Sequence, residues 1–153
     1  MVLPLSMIPG EAAVCCLEEM RSRFHATETL SGENAWLCPC CNKKGLSAST
    51  CVVEKWPPVL FLMIRRWNQN GEFHGRHVAC PAHLANKDGP SLKLVGAASF
   101  WDARNHYTVS VCRGDTVYNV DDAKVTRTRR LKTENSYVLC HSVLVFLVTL
   151  VVH

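Results

Sequence analysis

Apolar residues in this chain fall mainly in short alternating or continuous runs between turn residues, a pattern that predicts strands more often than helices. Residues 2–8 (VLPLSMI) form the first such run, and Pro9-Gly10 stops it. The one stretch of helical period comes next. Ala13, Leu17, Met20 and Phe24 recur on one face, which predicts a helix over residues 11–24. A polar segment, residues 25–34, leads into Ala35-Trp36-Leu37 and the cysteine-rich turn Cys38-Pro39-Cys40-Cys41. Residues 50–55 read as a short strand. Pro57-Pro58 then introduces VLFLMI, six apolar residues in a row, which predicts a strand buried on both faces. Residues 77–80 and 92–97 are further short strands, and residues 82–91, with Asn86, Asp88, Gly89 and Pro90, read as a surface connection. One early helix followed by many strands, with no internal repeat, predicts a single α+β domain built on a mostly antiparallel sheet.

The last third of the chain holds the candidate chemistry. Asn105-His106-Tyr107 opens the run TVSV, Arg113-Gly114-Asp115 makes a turn, and TVYNV delivers Asp121-Asp122. A hairpin across that turn brings the start of the first run beside the end of the second. His106 and Asp121 then become neighbours although fifteen residues separate them. A carboxylate beside an imidazole fixes its tautomer and stabilises the imidazolium, two of the three roles in a nucleophile-base-orienter triad. Taken alone, however, His106 reads more readily as an ordinary strand histidine, and the aspartates as a turn or a solvated strand end.

Composition narrows the setting. The 153 residues are 48% hydrophobic, enough for one domain with a real core, and the formal charge of +4 is mild. The basic cluster at residues 127–132 (RTRRLK) has no aromatic residue interleaved, so it reads as a solvated segment connecting strands and predicts no nucleic-acid partner. No charged n-region precedes the first apolar run, so it does not read as a secretory signal. The nine cysteines are therefore expected to be reduced, in a cytoplasmic or nuclear protein, and their spacing is to be read for metal or catalysis. Cys38 and Cys41 form one C-x-x-C knuckle, able to grip one face of a tetrahedral zinc. With no second knuckle the site is incomplete, and no cofactor is required by the sequence. Residues 143–152 (VLVFLVTLVV) are too few to span a bilayer as a helix, and their valines favour a strand extension over a membrane segment.

Read in order, these segments resemble part of the catalytic domain of the ubiquitin-specific proteases, cysteine deubiquitinases. The lead-in Glu28-Thr29-Leu30-Ser31-Gly32-Glu33-Asn34, then Trp36, Cys38 and Cys41, Pro57-Pro58-Val59-Leu60, Ile64-Arg65-Arg66-Trp67, and Val78 to Pro81 with Leu84 match the family's order of motifs. So do the histidine box Asn105-His106-Tyr107, the aspartate box Val117-Tyr118-Asn119-Val120-Asp121-Asp122, and the closing strand Ser136-Tyr137-Val138-Leu139-Cys140-His141. The resemblance covers residues 1–142 and leaves 143–153 as a tail. It implies the palm and part of the fingers of a papain-like cysteine protease fold, with the thumb missing. It also implies hydrolysis of ubiquitin isopeptide bonds, ubiquitin or a ubiquitinated protein as partner, His106 as general base, Asp121 as its orienter and Asp122 as support.

The departures matter as much. The family nucleophile lies in a box of the form G-N-T-C-Y-x-N-S, where a helix N-terminus lowers the thiol pKa, and none of the nine cysteines has that context. Asn105 replaces a glycine before the histidine, which is expected to restrict the backbone. Val117 and Val120 replace aromatic residues. Arg65-Arg66-Trp67 reads as a strand emerging into solvent. The expectation is thus an incomplete or inactive deubiquitinase domain, with a non-catalytic binding module for ubiquitin or another partner as the alternative.

Overall fold

The computed structural model describes residues 1–8, 10, 14–68, 70–86 and 88–143. The strands are β1 (Val2–Ser6), β2 (Val14–Cys16), β3 (Glu28–Leu30), β4 (Trp36–Leu37), β5 (Lys44–Gly45), β6 (Ser47–Ser49), β7 (Val59–Arg65), β8 (His77–Ala79), β9 (His83–Leu84), β10 (Leu92–Trp101), β11 (His106–Arg113), β12 (Thr116–Asp121), β13 (Lys124–Thr128) and β14 (Ser136–Ser142). One helix, α1 (Leu17–Phe24), is described. The main sheet runs β1-β7-β14-β10-β11-β12-β13, with β9 paired to β10. Every pairing in it is antiparallel except β1 with β7. Three two-stranded ribbons, β2-β8, β3-β6 and β4-β5, complete the α+β architecture.

Side-chain alternation decides which face is covered. On β7, Leu60, Leu62 and Ile64 are fully buried while Phe61 is exposed, so the VLFLMI strand buries one face only, contrary to the sequence expectation. The covered face meets α1 through Leu17 and Met20, with Leu3, Leu5, Leu94 and Leu139 in the same core. Each such side chain removed from water contributes roughly 1.5–3 kcal/mol. The helix is shorter than its periodicity suggested. Val14–Cys16 pairs in parallel with His77–Ala79 as strand, and ladder bonds to β8 outweigh helical spacing there, so the turn begins only at Leu17. Ala13 and the tail beyond Val143 lie outside the described residues.

Residues 50–55 form no strand. The chain turns there toward Pro57-Pro58, and the neighbouring ladder is made instead by Ser47–Ser49 against Glu28–Leu30. The basic RTRRLK segment begins on a strand, since Arg127 and Thr128 pair with Tyr118 and Val117. Arg66, expected to reach solvent, is completely buried. Its guanidinium donates to the carbonyls of Ser136 (2.7 Å), His74 (2.9 Å) and Arg76 (2.7 Å).

His141 on β14 is the second buried polar side chain of consequence. It pairs with Leu60 and Leu94, is fully buried, and neither ring nitrogen has a partner among the described residues. Burial, reinforced by the Arg21 charge from α1, pushes its pKa down to about 4. The unfolded chain accepts a proton near pH 6.5 that the folded chain refuses until about pH 4, so stability is complete above 6.5 and falls as pH drops through that window. The loss should total about 3 kcal/mol. Urea unfolding at neutral and mildly acidic pH measures it, and His141→Leu should flatten the dependence; an unchanged pH slope in that variant would assign the acid sensitivity elsewhere.

Candidate active site

The β11–β12 hairpin sets the geometry. Arg113 pairs with Thr116 across a two-residue turn in which Gly114 takes φ +59, the positive value that tight hairpin turns need at their first central position. Val109 then pairs with Val120. His106 lies three residues before Val109 and Asp121 one after Val120, so the two meet diagonally on one face at the open end of the hairpin. His106 Nε2 and Asp121 Oδ1 are 2.6 Å apart, a charge-assisted hydrogen bond between half-exposed groups.

The entry to β11 explains the asparagine before the histidine. Asn105 adopts φ 45, ψ 50, and its N–H donates to Asp102 O at 3.0 Å, closing a single 3₁₀ turn that reverses the chain from β10. Asparagine is the non-glycine residue that visits this left-handed region most readily, so the substitution is tolerated where a larger side chain would strain the turn. The reversal places His106 directly opposite Trp101.

Because Asp121 occupies Nε2, the ring's Nδ1 is left as the nitrogen able to receive or return a proton; it has no partner among the described residues. Asp122 follows in a left-handed turn conformation (φ 50) and is exposed. Ligand atoms of His106, Asp121 and Asp122 lie within 4.8 Å of one another, so the second carboxylate adds negative charge beside the imidazole without holding it. The pair opens into a cleft of about 740 Å³. Phe73, Phe100 and Trp101 give the cleft an apolar part, and Asn119, Lys132 and Asn135 a polar one. Phe100 stacks at 4.8 Å on Tyr107 and at 5.2 Å on Trp67, which stiffens the aromatic side.

Sequence reasoning overlooked the polar side chains that share this sheet face. Trp101 Nε1–H donates to Thr108 Oγ1 at 3.0 Å, and Ser110 Oγ–H donates to Asn119 Oδ1 at 3.2 Å. Simple alternation was the available signal: Thr108 and Ser110 continue the His106 face, and Asn119 the Asp121 face.

No cysteine lines the cleft among the described residues. Burial pushes the Cys80 thiol up to about 12 and raises those of Cys112 and Cys140, which keeps all three protonated and poorly nucleophilic. Cys38 behaves differently. The β4–β5 hairpin folds the knuckle so that backbone N–H groups of Cys41, then Cys40, together with the Cys41 thiol, lower its pKa. Cys38 N–H donates to Lys43 O at 3.1 Å and Asn42 N–H to Cys38 O at 2.8 Å. A turn that offers amide hydrogens to a thiolate suits one half of a zinc site. Among the described residues no group of three potential ligands closes around it.

No protein-family model matches the chain. In sequence it is similar to the mouse (Mus musculus) protein Ubiquitin carboxyl-terminal hydrolase 17-like protein E, at 33% identity over 128 residues, covering 74% of this chain and 24% of that protein. In structure it is similar to a chain of the SAGA DUB module Ubp8/Sgf11/Sus1/Sgf73 bound to monoubiquitin, with TM-score 0.69 and 21% identity over 92% of this chain and 34% of that one. The same module bound to ubiquitin aldehyde gives TM-score 0.68 and 20% identity, covering 92% and 35%. The chain thus spans about a quarter of the curated relative and about a third of the solved chains. At these identities the structural likeness speaks for the fold.

Proposed function

We infer that this chain, by sequence and fold a part of a ubiquitin-specific-protease-type domain, supplies the base-and-orienter half of a thiol hydrolase acting on ubiquitin isopeptide bonds. The observation that carries the reading is the 2.6 Å His106–Asp121 contact at the rim of an aromatic-walled cleft, with Nδ1 unengaged. In that chemistry His106 takes the proton of a cysteine thiol, and the thiolate adds to the carbonyl carbon of the ubiquitin terminal glycine. The tetrahedral adduct collapses to a thioester, and His106 returns the proton to the departing lysine amine. Water then attacks the thioester with His106 again as base, releasing the ubiquitin carboxylate and regenerating the thiol. Asp121 keeps the proton on Nε2 in the neutral ring and stabilises the imidazolium. Asp122 adds to that field.

The thiol is the element that the described residues do not bring to the cleft. On its own the chain is therefore a ubiquitin-facing module without turnover, which is also the form the second reading, a non-catalytic binding module, would take. Reduced, unpaired thiols suit the cytoplasm or nucleus. Among the described residues no helix is long and apolar enough to cross a membrane. Zinc is an accessory at most: metal titration should find weak, substoichiometric binding, and one tightly held zinc lost with Cys38→Ser would contradict that.

The decisive experiment treats the isolated chain with a ubiquitin carrying a carboxyl-terminal electrophile and, separately, with a ubiquitin ester. Neither labelling nor hydrolysis is expected. Labelling at any cysteine that disappears in His106→Ala would reveal a nucleophile within this chain and overturn the assignment.

A further inference from the structure

We propose that the outer edge of β13 is a docking strand for an extended acidic peptide of a partner protein. The proposal is independent of the hydrolase reading. β13 is the terminal strand of the main sheet, and among the described residues only its inner side is paired. Asp121 and Lys124 flank the two-residue turn Asp122-Ala123, so they exchange ladder hydrogen bonds, as do the alternate pairs Asn119–Thr126 and Val117–Thr128. It follows that Val125 and Arg127 turn their backbone N–H and C=O away from β12, toward the open edge. These are the groups that an added strand uses.

The side chains define the occupant. Lys124, Val125, Thr126 and Arg127 are all exposed, with Val125 at 54%, so both faces of the strand stand clear of the core. Residues 123–133 contain Lys124, Arg127, Arg129, Arg130 and Lys132 and no acidic residue. Counter-charges around this stretch are Asp121 at the end of β12, Asp122 in the turn, Asp115, which lines a cleft with Arg130, and Glu134, which holds Arg130 at 3.3 Å. Edge cations of this kind repel a second copy of the chain, since each copy would bring the same charges. They do not repel an anionic strand. Cross-strand pairs with Lys124 and Arg127 would add to the backbone bonds, and Val125 offers an apolar contact between them. Lys132 continues the basic line to the rim of the His106 cleft.

The test is fluorescence anisotropy on the full 153-residue chain with a labelled peptide of alternating glutamate and valine. The lysine-valine peptide and a single-stranded oligodeoxythymidylate serve as comparators. The acidic peptide should bind, more weakly as salt rises, and the lysine-valine peptide should not. Val125→Pro removes only an outward N–H and spares the β12 ladder, so it should weaken binding about tenfold or more. Arg127→Glu, which alters charge without touching the ladder, should weaken it in the same direction. Circular dichroism checks that both variants stay folded. Binding of the oligonucleotide with equal affinity, indifference to Val125→Pro in the folded variant, or concentration-dependent self-association of the chain through this edge would each overturn the proposal.

Discussion

Joined to an amino-terminal segment that places a thiol beside His106, the chain should hydrolyse a ubiquitin ester, and His106→Ala should slow that hydrolysis by about 10³-fold or more. The magnitude reflects loss of both proton transfers, from the attacking thiol and to the leaving group. Asp121→Asn should cost about 10²-fold or more, because the amide cannot stabilise the imidazolium and can present the wrong hydrogen-bonding group to Nε2. The 2.6 Å contact makes that residue's role specific. Asp122→Asn should change the rate several-fold at most, since Asp122 is exposed and acts through its field. Steady-state rates separate the three: kcat falls in the first two variants with KM little changed. Equal losses for Asp121 and Asp122 would show that the pair acts as one diffuse charge and that the hydrogen bond carries no special weight.

A loss of about 3–5 kcal/mol in unfolding free energy is expected for Arg66→Met. The methionine keeps the apolar stem and removes three donors, leaving the carbonyls of Ser136, His74 and Arg76 without those bonds. A buried carbonyl so deprived costs about 1–3 kcal/mol, partly offset because the guanidinium no longer has to be dehydrated. Arg66→Lys should recover less than half, because a single ammonium cannot reproduce the planar fork that reaches three carbonyls from one side chain. Urea unfolding of the three proteins decides the matter. If the methionine variant loses under about 1 kcal/mol, dehydration of the charge nearly cancels its bonds. The structural consequence is local to the cleft: Arg66 ties residues 74–76 to the start of β14, and Phe73, beside that tie, lines the wall near His106.

Much of this arrangement was legible in the chain, for identifiable reasons. The His106–Asp121 contact follows from two alternating runs and a glycine in the turn, because a two-residue hairpin fixes register without help from distant residues. Leu60, Leu62 and Ile64 were recognisable as a strand, but the exposure of Phe61 depends on the second face being only partly covered by the described residues, which local sequence does not encode. Val14–Cys16 was misread as helix because its strand partner lies more than sixty residues away at His77–Ala79. Arg66 looked solvent-bound because its acceptors are backbone carbonyls, which side-chain patterns do not reveal. The three carbonyls that justify its burial belong to a later loop and to β14, and only the folded chain brings them together. Lys124–Thr128 escaped notice because an edge strand exposed on both faces shows no hydrophobic alternation.

The order of strands has a kinetic consequence. β14, the last described strand, lies between β7 and β10 at the middle of the sheet, and its partners are residues such as Met63, paired with Val138, and Ala97, paired with Leu139. During synthesis β7 and β10 must therefore wait, each with an open edge and a leucine-rich face, until the chain through Ser142 has emerged. Closing a loop of that length before any ladder bond rewards it makes refolding slow. The waiting intermediate exposes two open strand edges able to pair with the wrong chain, so a holdase that covers them is expected to raise the yield of folded protein.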